Sequence, residues 1–375
     1  MKMRMSRLQH LTVFSVAAIH LLLFSICPVS SRIYRTNDAV VIEVDGVGPS
    51  NFASRNFGNL APVPMTYAVN PYIGLSSQPY PNFPLWPYPL YKPASSFSDV
   101  ENVTATSSDS KQQKIACGVG PASPPQRSFP DVRIVGGSEA TPNSWPFVVG
   151  LRKAGSTGVF CGGSIISPTR ILTAAHCVNE LSAFDISTMT VSLGMHVQGI
   201  LPDTYADAQM TRRVSRVVYH NAFNTNTMVN NIAVLTVTPD LIYSAAISPV
   251  CLPPFNNAAN QFVGKDAAIM GWGTLASGGE ASNTLQQATV KVISNAACNI
   301  PYENNLSPQH FCAAADGKDA CKNDGGGPAV VRNPNGSWKQ AGIVSFGFGC
   351  ADPKYPGVYA SVAFFRNWIN TYMKN

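Results

Sequence analysis

Nine cysteines and six histidines are among the side chains of this 375-residue sequence that could serve redox, metal or acid-base chemistry. Cys27 falls in an N-terminal leader. The other eight, Cys117, Cys161, Cys177, Cys251, Cys298, Cys312, Cys321 and Cys350, are an even set suited to disulfides in an oxidising compartment, and spacing alone leaves roughly a hundred pairings open. His196, His220 and His310 show no metal-ligand spacing, so neither a metal nor a cofactor is expected. A lone histidine is usually structural, but His176 stands in the unusual setting Leu172-Thr173-Ala174-Ala175-His176-Cys177. Two acidic residues lie in glycine- or cysteine-bounded turns: Asp324 in Asn323-Asp324-Gly325-Gly326-Gly327-Pro328, and Asp319 two residues before Cys321. Asn102, Asn305 and Asn335 each open an Asn-X-Ser/Thr triplet, the acceptor pattern for glycosylation in a secreted protein.

The elements that must position these residues are mostly short strands. Hydrophobic residues make up 45% of the chain and charged residues 12%, enough apolar material for a sizeable core and too little charge for wholesale disorder. Lys2, Arg4 and Arg7 precede an apolar run from Leu11 to Ile26, and Val29-Ser30-Ser31 offers a small-residue cleavage site, so residues 1–31 are expected to be a signal peptide and the protein to be secreted. The run is short for a retained membrane anchor, and no later segment is expected to span a membrane. Without the leader, the net charge falls from +6 to +3, which gives no support to nucleic-acid binding.

Residues 32–133 hold 14 of the 29 prolines and only Cys117 among the cysteines. The run Pro79 to Pro93, PYPNFPLWPYPLYKP, should be extended and cannot build a core. It reads either as a recognition arm, offering Tyr80, Phe83, Trp86, Tyr88 and Tyr91, or as a stiff spacer or propeptide. Val40 to Val44 alone reads as a short strand in this otherwise largely unstructured arm. Residues 134–375 carry β-rich runs at Phe147–Leu151, Met189–Leu193, Ile232–Thr236, Ala267–Trp272 and Ala341–Ser345, punctuated by Gly, Pro, Asn and Ser. A final helix is predicted where Phe364, Phe365, Trp368, Ile369 and Tyr372 recur at helical spacing, giving an all-β barrel or sandwich with a terminal helix.

Five motifs occur in order: Arg133-Ile134-Val135-Gly136-Gly137, Cys161-Gly162-Gly163-Ser164, the segment around His176, Gly271-Trp272-Gly273 and Pro356-Gly357-Val358-Tyr359. From Ile134 onward the chain resembles the trypsin/chymotrypsin-like serine proteases. The resemblance implies two orthogonal six-stranded β-barrels with an active-site cleft between them. It also implies the disulfides Cys161 to Cys177, Cys298 to Cys312, Cys321 to Cys350, and Cys117 to Cys251, the last tying the arm to the barrels.

In that family a serine attacks the peptide, a histidine acts as base, and a buried carboxylate holds the imidazole in the right tautomer. Here His176 keeps the base position, but Asn231 replaces the aspartate and Gly325 replaces the serine. Asn323 stands where an oxyanion-hole glycine is usual, and Ser345 matches a serine beside the triad carboxylate, wrongly placed for attack. The resemblance further implies a pocket for arginine or lysine, with Asp319 at its base, Gly347 and Gly357 on its walls and Phe346 for the usual tryptophan. That pocket is either intact or collapsed. Arg133 is a cleavage site for an activating trypsin-like protease, and the freed Ile134 amine would pair with Asp324; the alternative is that these residues are relics.

The expectation is therefore a secreted, catalytically inactive serine protease homologue of the arthropod type, without a clip domain because Cys117 stands alone in the arm. Such homologues commonly carry glycine at the nucleophile position and often serve as cofactors in immune proteolytic cascades; cascade cofactor, adhesion protein and pathogen-surface binder are the roles the resemblance leaves open. The partners implied are proteins, among them cascade proteases or their zymogen substrates. The rival is an active endopeptidase cleaving after Arg or Lys, which Gly325 opposes.

Overall fold

The alternation of β-branched residues in Ala39-Val-Val-Ile-Glu-Val44 makes a strand, and the preceding Thr36-Asn37-Asp38 is turn chemistry. In a computed structural model, which describes residues 30–45, 116–122, 137–201, 204–303, 305–315, 317 and 319–374, this segment is half of a hairpin. Strand β1 (Ser31–Arg35) pairs antiparallel with β2 (Ala39–Val44), and the Thr36 hydroxyl closes the turn by accepting from the Ala39 amide at 2.9 Å. The leader, Pro79 to Pro93, Asn102, Arg133 and Ile134 lie outside the described residues. By its contacts the chain divides into two units, Met1–Pro49 with Ile115–Asn375, and Ser50–Lys114; no residue of the second is among those described.

The chain then forms β3 (Ser138–Glu139), β4 (Val148–Arg152), β5 (Cys161–Ser167), β6 (Arg170–Thr173), the helix α1 (Ala183–Thr188), β7 (Thr190–Leu193), β8 (Met210–His220) and β9 (Ala233–Thr238). Six of these strands run in the order β8-β7-β4-β5-β6-β9, and β8 pairs with β9 to close a barrel. The second half contributes β10 (Asp266–Gly271), β11 (Gln286–Ile293), the helix α2 (Asn295–Asn299), β12 (His310–Ala314), β13 (Pro328–Arg332), β14 (Trp338–Phe346), β15 (Gly357–Ser361) and the helix α3 (Arg366–Met373). These strands run β10-β13-β14-β15-β12-β11 and close through β10–β11, so the expected pair of six-stranded antiparallel barrels with a C-terminal helix is the observed fold.

Each barrel is filled from inside. Val149, Leu151, Ile165, Ile171, Leu193, Val214, Val217 and Leu235 line the first with no more than trace exposure, and Ala267, Ile269, Val290, Phe311, Ala329 and Tyr359 the second. Every fully buried Val, Leu or Ile contributes about 1.5–3 kcal/mol. The terminal helix buries Trp368, Ile369 and Tyr372, with Phe365 at its N-cap, as their spacing required.

The hairpin extends the first barrel's sheet. Strand β2 pairs with β8 from Ala39 opposite His220 to Glu43 opposite Arg216, leaving β1 as the new edge. The sequence reading recognised Val40–Val44 as a strand but foresaw neither its partner Ser31–Arg35 nor the face that receives it.

All four implied disulfides form: Cys117–Cys251, Cys161–Cys177, Cys298–Cys312 and Cys321–Cys350. Around the first, the Gly118 amide donates to Pro249 O and the Trp338 amide to Gly118 O, both at 2.8 Å, while Trp338 Nε1 donates to Pro121 O at 3.0 Å. Trp338 is fully buried and meets Trp145 edge-on at 4.9 Å.

Two outcomes follow from this arrangement. Protein cut after Arg133 should run as one species on a denaturing gel without reductant and as two with it; two species without reductant would refute the Cys117–Cys251 bridge. Trp338→Ala should cost about 3–5 kcal/mol in a chemical-denaturation experiment, because it both empties a core site and leaves the Pro121 carbonyl without its donor.

Candidate active-site cleft

The cleft between the barrels is built by strand ends and turns, where side chains leave the sheet and reach common space. His176 sits in a 3-10 turn, Ala175–Cys177, directly after β6, and Cys177 is tied to Cys161 on β5. Asn231 precedes β9 by two residues, Gly325 lies in the turn leading into β13, and Ser345 is near the end of β14. The first barrel thus supplies His176 and Asn231, and the second supplies Gly325 and Ser345, across a cleft of about 530 Å³.

Asn231 is almost fully buried, and its orientation follows from its neighbours. Its Oδ1 accepts the His176 backbone N–H at 3.0 Å, a group that can only donate. Its Nδ2 must therefore face the imidazole and Ser345, donating to His176 Nδ1 at 2.9 Å and to Ser345 Oγ at 2.7 Å. Reversing the amide would set a donor against the His176 backbone donor. In the neutral imidazole Nδ1 is thus the acceptor and the proton resides on Nε2. Burial pushes the His176 pKa down, which favours this neutral form.

Nε2 is the atom that a base would turn toward its nucleophile, and here it faces Gly325. A Cβ built on Gly325 would overlap Nε2, so the imidazole occupies space that any side chain at this position would need. Ser345 is 7% exposed, and its hydroxyl accepts from Asn231 Nδ2. Asn323 lines the cleft with φ 75°, the left-handed conformation natural to glycine and best tolerated elsewhere by asparagine.

The expected pocket residues come together. Asp319, Gly347, Gly357, Phe346 and Ser345 line the same cleft as His176 and Gly325. Asp319 is 5% exposed and accepts from the Ala351 amide at 3.2 Å; burial pushes its pKa up to about 6 against the pull of backbone hydrogen bonds. A carboxylate so buried gains strongly from an incoming cation. Gly357 is required for it to fit, since a Cβ there would come within 2.7 Å of Asp319 Oδ1; Gly347 is not, its nearest Asp319 oxygen lying at 3.8 Å.

Asp324 points inward, away from the cleft, and is fully enclosed. Its Oδ1 accepts the Gly273 amide at 2.8 Å and its Oδ2 the Cys321 amide at 3.0 Å, yet burial still raises its pKa to about 6. Ile134 lies outside the described residues.

Sequence reasoning missed an aromatic cluster next to Phe346. Tyr302 meets Phe346 edge-on at 5.7 Å and stacks on Phe348 at 5.7 Å, and Phe348 meets Tyr355 at 5.1 Å. Only Phe346 had a signal, as a replaced tryptophan; Phe348 and Tyr355 follow it in the connection to β15, and Tyr302 comes from the segment after α2. His196 bonds Glu139 at 2.8 Å, and His220 stacks on Trp368. Cys161, His176 and Cys177 bring potential metal-ligand atoms close together, but both sulfurs are spent in one disulfide. Asn305 and Asn335 are exposed.

A family model described as Trypsin matches residues 134–369. Trypsin alpha of Drosophila melanogaster is 38% identical over 262 residues, covering 68% of this chain and 93% of that protein. Trypsin delta of the same fly is 38% identical over 261 residues, covering 68% and 94%. The clotting factor G beta subunit of Tachypleus tridentatus is 32% identical over 284 residues, covering 72% and 87%. On its matched sequence, its paired barrels and its cleft, the chain belongs to the trypsin family of serine proteases.

Proposed function

We propose that this chain is a secreted trypsin-family protein that has lost peptidase chemistry and acts by binding proteins, as a regulator or cofactor in an extracellular, immune-type proteolytic cascade. The observation that carries the reading is the contact of His176 Nε2 with Gly325, a residue with no hydroxyl to activate. In a serine protease triad, replacing the aspartate by asparagine costs roughly 10⁴-fold in turnover. Losing the nucleophile costs about 10⁶-fold, or ~8 kcal/mol of transition-state stabilisation. The two losses do not add, since the triad works as a unit, but either removes useful activity.

Binding is favoured by what remains. A buried carboxylate at Asp319, with Gly347 and Gly357 beside it, suits a basic side chain, and Phe346 adds an apolar wall. Asp324 retains the enclosed carboxylate that a freed Ile134 amine would neutralise, so cleavage after Arg133 by a trypsin-like protease would act as a switch without chemistry. The cascade setting is supported by the relative named a clotting factor subunit. Secretion is supported by the leader pattern and four disulfides; among the described residues no helix is long and apolar enough to cross a membrane. With Cys117 bonded to Cys251, the arm has no cysteine left for a clip domain.

A serine-directed fluorophosphonate should leave the cleaved protein unlabelled; labelling would make it an active endopeptidase. Gly325→Ser alone should remain nearly inactive on arginyl substrates, because Asn231 still holds the wrong tautomer and His176 must move to admit the side chain. Family-like turnover from that single change would overturn the role given to Asn231.

Benzamidine, a cation that stays charged throughout, probes the Asp319 pocket by calorimetry. Binding needs the ionised carboxylate, so affinity should be full above pH 6 and fall as pH drops through about 6. Cleaved protein should bind about 100-fold more tightly than uncleaved protein or cleaved Asp324→Asn, which corresponds to ~2.7 kcal/mol. Equal binding by all three would make Asp324 a relic.

A further inference from the structure

Cys117–Cys251 joins the segment before Arg133 to the barrels covalently, and the N-terminal hairpin makes contacts of its own with the first barrel. The face that receives the hairpin is built for it. Strand β2 lies between two partners, so Val40 to Glu43 are paired with both β1 and β8. Ala39, Val40, Val41, Ile42 and Val44 are all buried and belong to the same core cluster as the first barrel.

Polar contacts set the register at both ends. At the turn, Asp38 accepts the Tyr372 hydroxyl through its carboxylate and Trp368 Nε1 through its carbonyl, both from α3. Asn221, just past β8, donates its side chain to Asn37 O at 2.7 Å and its amide to Asp38 O at 3.2 Å. At the other end Glu43 faces Arg216 of β8 at 3.3 Å and takes the Tyr34 hydroxyl at 3.1 Å. A strand merely lying on a sheet edge would not be capped by a helix at one end and an ion pair at the other.

From this we infer that β8 and α3 form a strand-acceptor site whose occupant is the chain's own residues 31–45. The hairpin is a second, non-covalent anchor, holding the segment before Arg133 to the first barrel independently of Cys117–Cys251. It begins at Ser31, the expected end of the leader, so the mature chain keeps nearly all of it. The inference does not depend on whether the cleft is catalytic.

The test is a double variant, Cys117→Ser with Cys251→Ser, cleaved after Arg133 and passed through a sizing column without denaturant. The two pieces should elute together, and adding Val41→Asp should separate them. Separation without Val41→Asp, or co-elution with it, would overturn the inference. Should these variants fail to fold, hydrogen exchange on the unaltered full chain decides the matter. The amides of Val40 to Glu43 should exchange at least roughly 100-fold more slowly than in a free peptide; free-peptide rates there would overturn it.

Discussion

The hydrogen bond from the His176 backbone amide to Asn231 Oδ1 decides the state of the whole cleft. An aspartate at this position would accept from the backbone and from the imidazole with either oxygen. An asparagine has one acceptor and two donors, and the backbone N–H claims the acceptor. Both donors then turn inward, one to Nδ1 and one to Ser345. The amide is well satisfied, with no buried polar atom left over, and ties His176 and Ser345 into one network.

Around that network the two functions of a protease site have come apart. The groups that move protons and electrons are altered at three positions, Asn231, Asn323 and Gly325. Asp319 and Asp324, the two carboxylates to which the proposed function gives recognition and switching, remain enclosed. Each is costly to keep ionised in the interior, which is why burial raises both. A fold under no demand to bind would lose stability by keeping them, and neutral replacements would relieve the cost.

Much of this was legible in the sequence because the motifs are local. Ala-Ala-His-Cys, Asn-Ile-Ala and Asp-Gly-Gly-Gly-Pro each name one position, and the family resemblance that the ordered motifs carry implies the barrels and the four disulfides. The strands around Val149, Leu193, Leu235, Ile269 and Ile343 announced themselves as apolar runs, since most of their residues are buried on both faces. What stayed hidden depends on contacts between distant segments. Ser31-Arg-Ile-Tyr-Arg35 has no alternation of its own and becomes a strand only because β2 already has β8 as a partner. Tyr302, Phe348 and Tyr355 gain meaning only when their loops meet. The closeness of His176 to Gly325 is a property of the absent side chain, invisible in any motif.

The claim on which this account turns is the protonation of a single ring. Nitrogen-15 NMR of histidine-labelled protein near neutral pH, with His176 assigned by comparison with His176→Gln, reads it directly. The account predicts a neutral His176 ring carrying its proton on Nε2, with Nδ1 showing the shift of an unprotonated, hydrogen-bonded nitrogen. A proton on Nδ1, the tautomer that a working base requires, would contradict it.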